Sequence, residues 1–397
     1  MLKIIAFLLF VPSMTFGLIP GISSAPYAIL LIPFFNRFQL GRIFIAILIL
    51  SVITILQSFV FDLSLSELFK SLVALLNATL VIPFILNISE EEEKFFHKIF
   101  IWYVLATILI GILQYNFLFI RNVSAFIFGH ASGFGTKGVP GLSYEPARSA
   151  LDLVYAIVGV YFFFSKKKWF PYFMIISFSY LILINRSLTG ILLLMIFIVI
   201  KYLWKFKFQH LLIITISIFI LPIFSLGLFE GDSGIHALDS LKRLFNSSNK
   251  YELFQSLSGH RGTGLIVSWQ NISLFGNGGG SWEWLTQKYL EENFQLISTI
   301  SYYRNAGLVA SPPLTFFGRY IMEIGVFGLL VYFGSLIKFK FVLQMFKKTF
   351  KNAELFFLSV SLIILSYGSN PIPFILFVLI FKNLKRNELR DKLYTSS

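Results

Sequence analysis

Apolar runs long enough to cross a bilayer recur along most of this chain, and no other feature constrains its fold as strongly. A bilayer-spanning helix needs about 18 or more predominantly apolar residues. Runs of this kind read as spans over residues 2–18, 23–36, 40–60, 67–87, 99–120, 147–165, 168–185, 188–204, 208–228, 313–336, 353–369 and 371–384. The second and the last are short or interrupted by proline. The expectation is therefore an all-α polytopic membrane protein with about 11–12 transmembrane helices. Composition agrees. Of the 397 residues, 56% are hydrophobic and 13% are charged, against about a quarter charged in a soluble domain.

The net charge of +14 raises nucleic acid as a partner, but its distribution argues against one. The basic residues gather in short connections: Lys166 to Lys168, Lys201 to Lys207, Lys347 to Lys351 and Lys382 to Lys392. Short basic loops between apolar spans mark the cytoplasmic side. One assignment puts every such cluster inside, with Met1 and the C-terminal tail. The expected partner is the lipid bilayer, with both termini on the cytoplasmic side, and no nucleic acid is expected. Residues 1–20 read as a retained first span rather than a signal peptide. There is no cysteine, so disulfides and thiolate metal sites are excluded.

This topology divides the chain into three parts. Residues 1–228 hold about nine helices, with an outer loop at 121–146. Residues 229–312 form a large outer loop. Residues 313–397 hold the last helices and a basic tail. The large loop carries Trp269, Trp282, Trp284, Tyr289 and Tyr302, apolar bulk that a disordered segment would lack. It is expected to be ordered and to fold onto the helices. No internal repeat is visible, and no pair of broken helices of the kind found in inverted-repeat transporters.

Chemistry concentrates at the expected outer face. In "GLSYEPARSALD", Pro146 fits the first turn of a helix. Glu145, Arg148 and Asp152 then share one face through spacings of three and four. A charge at membrane depth costs roughly 2.5 kcal/mol or more, so this stripe is expected to face a water-filled or protein-lined cavity open to the outside. The competing reading is a structural Arg148–Asp152 ion pair. Arg186, in "NRSLTGILLL", lies beside a helix start, where an anion can bind; a snorkelling interfacial arginine is the alternative. In the long loop, His260 and Arg261 pair a potential base with a phosphate-binding fork. The nearby Gly276 and Gly278 to Gly280 lack the Lys-Ser/Thr of a phosphate loop and read as a tight turn. Arg319 and Glu323 repeat the i,i+4 spacing, for which a helix ion pair is the favoured reading. The histidines are scattered without ligand spacing, and no metal or other cofactor is expected.

Several of these pieces together resemble the bacterial O-antigen polymerases (Wzy type), within the group that also contains the O-antigen ligases. They are "GLSYEPARSA", "NRSLTGILLL", "HRGTGLIVSWQNISLFGNGGG" and "SPPLTFFGRYIMEIGVFGLL". Their order and spacing cover about residues 100 to 335. The resemblance implies glycosyl transfer on the outer membrane face. The growing glycan on undecaprenyl pyrophosphate passes to another lipid-linked oligosaccharide, and a chain-length regulator is the implied protein partner. Glu145 and His260 are the implied bases. Arg148 and Arg261 would neutralise the leaving group, and Arg186, Asp152, Arg121, Arg304 and Arg319 would bind substrate. Ser311-Pro312 stands where ligases often carry His-Asn, which favours polymerase. Ala147 stands where polymerases often carry Ser. The ligase and a transporter of lipid-linked sugar are the alternatives.

Overall fold

The computed structural model describes residues 1–11, 27–34, 40–61, 65–128, 138–143, 145–204, 263–293, 296, 300–301, 304, 315–337, 339–364 and 370–395. The expected span at 208–228 and the His260-Arg261 pair lie outside them. All regular structure among the described residues is helical. The first half runs α1 (Leu2–Phe10), α2 (Tyr27–Leu31), α3 (Leu40–Phe61), α4 (Leu65–Thr79), α5 (Val81–Asn87), α6 (Glu90–Asn116) and α7 (Leu118–Phe128). The middle holds α8 (Pro146–Phe164), α9 (Phe170–Tyr180) and α10 (Leu188–Leu203). Then come α11 (263–270), α12 (Trp282–Glu292), α13 (Phe316–Leu336), α14 (Phe339–Thr349), α15 (Ala353–Ile364) and α16 (Ile372–Thr395).

Among the described residues, four stretches are long and apolar enough to cross a membrane: Leu68–Asn87, Glu90–Asn116, Pro146–Phe164 and Phe316–Leu336. Five further apolar helices are shorter. They leave large apolar side chains exposed, among them Leu48 and Val52 of α3 and Ile175 and Ile176 of α9, as lipid-facing surfaces do. The described residues are thus all-helical in their regular structure and compatible with an α-helical membrane protein. Several expected spans take another form. Within the run at 23–36, the described residues form a helix at Tyr27–Leu31 and a 3₁₀ turn at Ile32–Phe34, where Pro33 cannot donate to a continuing α-helix. The start of the expected outer loop is helical, as α7. The run at 371–384 opens a helix of 24 residues that continues through the basic tail.

α8 is the central helix. Every residue from Arg148 to Val160 is buried, and α6, α10 and α16 pack around it. Close approach depends on small residues. A side chain at Gly190 of α10 would collide with Ala150 of α8, and one at Gly159 would come within 2.9 Å of the Phe100 ring. α6 begins with a capping box. The Ser89 hydroxyl accepts from the Glu92 backbone, and the Glu92 carboxylate accepts from the Ser89 backbone at 2.6 Å. Four glutamates in the first turn also favour the positive end of the helix dipole.

The basic clusters meet acidic partners at one end of the bundle. Lys201 pairs with Glu354, and Lys348 with Glu388 at 2.5 Å. Buried Glu93 accepts from Lys382 at 2.6 Å and from Arg386. Lys382 also donates to the carbonyls of Ile85, Leu86 and Ile88 at 3.0, 3.3 and 2.9 Å, satisfying the C-terminal end of α5. Removing the Glu93 carboxylate leaves two cations without their shared counter-charge. Glu93→Ala is expected to lower stability by about 3 kcal/mol, whereas Glu90→Ala, at the exposed partner of Arg386, is expected to cost less than about 1 kcal/mol. Thermal unfolding in detergent measures both.

Candidate functional site

At the opposite end, the loop 138–143 and the start of α8 are fixed by two buried amides. Gln114, near the end of α6, donates to the Gly141 carbonyl at 2.9 Å and accepts from the Gly141 N–H at 2.8 Å. Asn185 donates to the carbonyls of Val139 and Pro146 at 3.0 and 3.2 Å. The helix that presents Asn185 changes pitch first. Residues Leu181–Asn185 extend α9 as a π-helix, closed by the Arg186 N–H on the Leu181 carbonyl at 3.0 Å. Such π turns are rare and recur at functional sites.

Arg186 follows in the left-handed region, with φ 53° and ψ 24°. It is the one non-glycine residue with positive φ among those described, a conformation that costs of order 1 kcal/mol or more and persists where the surroundings enforce it. Its Nε donates to the Leu183 carbonyl at 2.9 Å, and its guanidinium lies 5.9 Å from the Tyr115 ring centroid. Arg121 reaches the same end of α6. It donates to the carbonyls of Gln114 and Tyr115 at 2.5 and 2.7 Å. Those are C-terminal carbonyls of a helix, so this cation helps to complete α6.

Glu145 is the N-cap of α8 and Pro146 its first residue, as the spacing requires; no side-chain capping bond ties Glu145 to its own helix. Arg148 and Asp152 point inward. Both are buried, and Asn370, just before α16, donates to the Asp152 carboxylate at 2.6 Å. Arg148 and Asp152 thus face protein, not an open water-filled cavity, and the hydrogen bond from Asn370 offsets part of the desolvation cost of the carboxylate. Asn370 also accepts from the Ile372 N–H at 3.0 Å, so one residue caps α16 and holds Asp152.

A second buried carboxylate lies at the same end, since Phe316 at the start of α13 packs on Phe374 of α16 at 4.7 Å. Glu323 of α13 accepts from Arg319 Nε at 3.2 Å, from the Gly280 N–H at 3.2 Å and from the Ser71 hydroxyl. The expected i,i+4 pair forms, with two further donors from distant segments. Two residues on, α13 is interrupted at Gly325, with φ 77° and ψ 171°. The glycine-rich loop supplies the missing bonds. Asn277 and Gly278 N–H groups donate to the Met322 and Glu323 carbonyls at 2.9 and 2.8 Å. Val326 and Phe327 N–H groups donate to the Ser273 and Leu274 carbonyls at 3.2 and 3.0 Å. The glycines therefore make a turn, as expected, but one spliced into a membrane helix. The sequence reading found no paired broken helices; this single discontinuous helix escaped it because Gly325 sits within an otherwise regular apolar run. Gln57 of α3 donates to the Phe275 carbonyl at 2.5 Å and ties the loop to a third element. The described part of the long loop also has its own apolar core, in which Val267, Leu285, Tyr289 and Leu290 meet Met322.

The structure thus gathers Glu145, Arg148, Asp152, Arg186, Arg319 and Glu323 at one end. Arg304 is helical and exposed. Gln114, Asn185, Asn370 and Ser71 are the residues that sequence reasoning missed. A side chain at Gly325 would collide with Gly276 and Leu274 backbone, and one at Gly276 with Glu323 and Ile324 backbone. Gly325→Ala is expected to cost about 2 kcal/mol or more and to expose the 273–280 loop to protease in membranes. Gln114→Ala, which frees both backbone groups of Gly141, is expected to cost about 2 kcal/mol by thermal unfolding.

No family model, curated protein or solved structure matches the chain.

Proposed function

We propose that this protein polymerises lipid-linked polysaccharide repeat units of the O-antigen type on the outer face of a bacterial inner membrane. The observation that carries the reading is the gathering of Glu145, Arg186, the buried Arg148 and Asp152, and the Arg319–Glu323 pair at one end of the bundle, with the paired lysine clusters at the other. In this reading the lysine end is cytoplasmic, and the chain crosses the membrane several times with both termini inside. The motif resemblance described above supplies the reaction class.

The donor is a glycan on undecaprenyl pyrophosphate, and the acceptor is a hydroxyl at the non-reducing end of a second lipid-linked unit. The acceptor oxygen attacks the anomeric carbon. The bond from that carbon to the pyrophosphate oxygen breaks, and undecaprenyl pyrophosphate leaves with the electron pair. The acceptor proton passes to the Glu145 carboxylate. Arg186, half-buried at the rim, stabilises the charge that develops on the leaving group. Arg148 and Asp152 are too buried to touch a glycan and serve as positioning residues for the first turn of α8. Arg319 holds Glu323, and through it the glycine-rich loop. His260 and Arg261 are retained as a second base and phosphate clamp. No cofactor is invoked, and a chain-length regulator is the proposed partner.

Deletion of the gene in its host, followed by electrophoresis of surface lipopolysaccharide, tests the reading. Core carrying a single repeat unit, with the ladder lost, supports polymerase. Bare core with polymer retained on the lipid carrier shows a ligase instead. Bare core with neither shows transport. In the complemented strain, Glu145→Gln is expected to shorten the ladder to one or two units; a full ladder removes Glu145 as the base. Arg186→Ala is expected to lower polymer yield at least about 10-fold.

A further inference from the structure

α14 lies at the lysine end of the bundle and carries two exposed stripes of different character. Leu343, Phe346 and Phe350 recur at i, i+3 and i+7 and are exposed. Lys340, Lys347 and Lys351 recur at i, i+7 and i+11 on the next stripe and are also exposed. The remaining face, with Met345 and Thr349, is buried against the bundle. A helix with an exposed apolar stripe flanked by lysines is suited to the plane where headgroups meet acyl chains.

Between α14 and α16 lies a cavity of about 310 Å³, at the lower end of the 300–1,000 Å³ common for small-molecule sites. Its charged lining is Lys347, Lys348, Lys351, Lys385 and Glu388. Lys385 is held over the Phe341 ring at 4.5 Å, so its ammonium stays on the α14 side. Four lysines against one glutamate favour an anion, and ammonium groups bind phosphate as point charges.

We infer that this cavity binds the phosphate headgroup of an anionic membrane lipid, with Leu343, Phe346 and Phe350 set among its acyl chains. Charge fixes the ligand class, and the adjoining apolar stripe fixes the source. A free phosphate gains nothing from three exposed apolar side chains, whereas a lipid engages both surfaces at once. The site lies at the end opposite Glu145 and does not depend on the proposed polymerase activity.

The test uses the full-length protein, delipidated in a neutral detergent. Phosphatidylglycerol, phosphatidylcholine and inorganic phosphate are titrated separately, with bound lipid read by native mass spectrometry and stabilisation by thermal unfolding. Phosphatidylglycerol is expected to bind at least about 10-fold more tightly than phosphatidylcholine. The triple variant Lys347→Gln, Lys351→Gln, Lys385→Gln is expected to abolish that preference. Glu388→Gln, at a side chain 62% exposed, is expected to fold normally and to bind phosphatidylglycerol more tightly. Equal binding of the two lipids, or stabilisation by inorganic phosphate equal to that by phosphatidylglycerol, overturns the inference. So does an unchanged preference in the triple variant. Should that variant not fold, unchanged phosphatidylglycerol affinity in Glu388→Gln overturns it instead.

Discussion

A guanidinium and a carboxylate one turn apart on a membrane-depth helix cannot face lipid, and much of this architecture follows from where they go. α8 carries Arg148 and Asp152 to the centre of the bundle. Its burial along the whole run to Val160 requires neighbours on every side, and the small residues at Gly159 and Gly190 let α6 and α10 approach closely enough. Asn370 then brings α16 onto the same carboxylate. The Asn370 bond to the Asp152 carboxylate constrains the rotation of α8, and with it the position of Glu145 at the N-cap.

Some of this could be read from the residues in order. The start of α8 follows from Pro146 and the spacings after it, because capping and helical periodicity are local. The separation of basic clusters from the motif-bearing end was likewise visible, since positive charge flanks each apolar run. The clamps were not visible. Gln114 acts 27 residues away, Asn185 acts 46 and 39 residues away, and Asn370 acts 218 residues away. An amide carries no mark in sequence of which backbone it will hold. Arg121 shows the same limit from the other side: nothing in the sequence marks that its guanidinium will meet the carbonyls of Gln114 and Tyr115 at the end of α6.

The two ends of the bundle treat charge differently. At the lysine end, acid–base pairs join separate helices, α10 to α15, α14 to α16 and α6 to α16. They clasp the bundle at a wet surface. At the other end, the Arg319–Glu323 pair lies within a single helix turn, and both buried carboxylates, Asp152 and Glu323, take a hydrogen bond from a distant segment. Such a construction fixes the ends of helices relative to loops.

The splice at Gly325 bears on the order of biogenesis. Four backbone groups that α13 leaves open are closed by residues 273–278, and those residues precede α13 in the chain. Synthesis proceeds from the N-terminus, so the patch exists before the gap it fills. A helix with open backbone groups is a poor passenger for lipid. Here the segment that completes it has already been synthesised. The long loop then acts toward its own following helix as an internal assembly template, and α13 need never reside in the bilayer with its interruption uncovered.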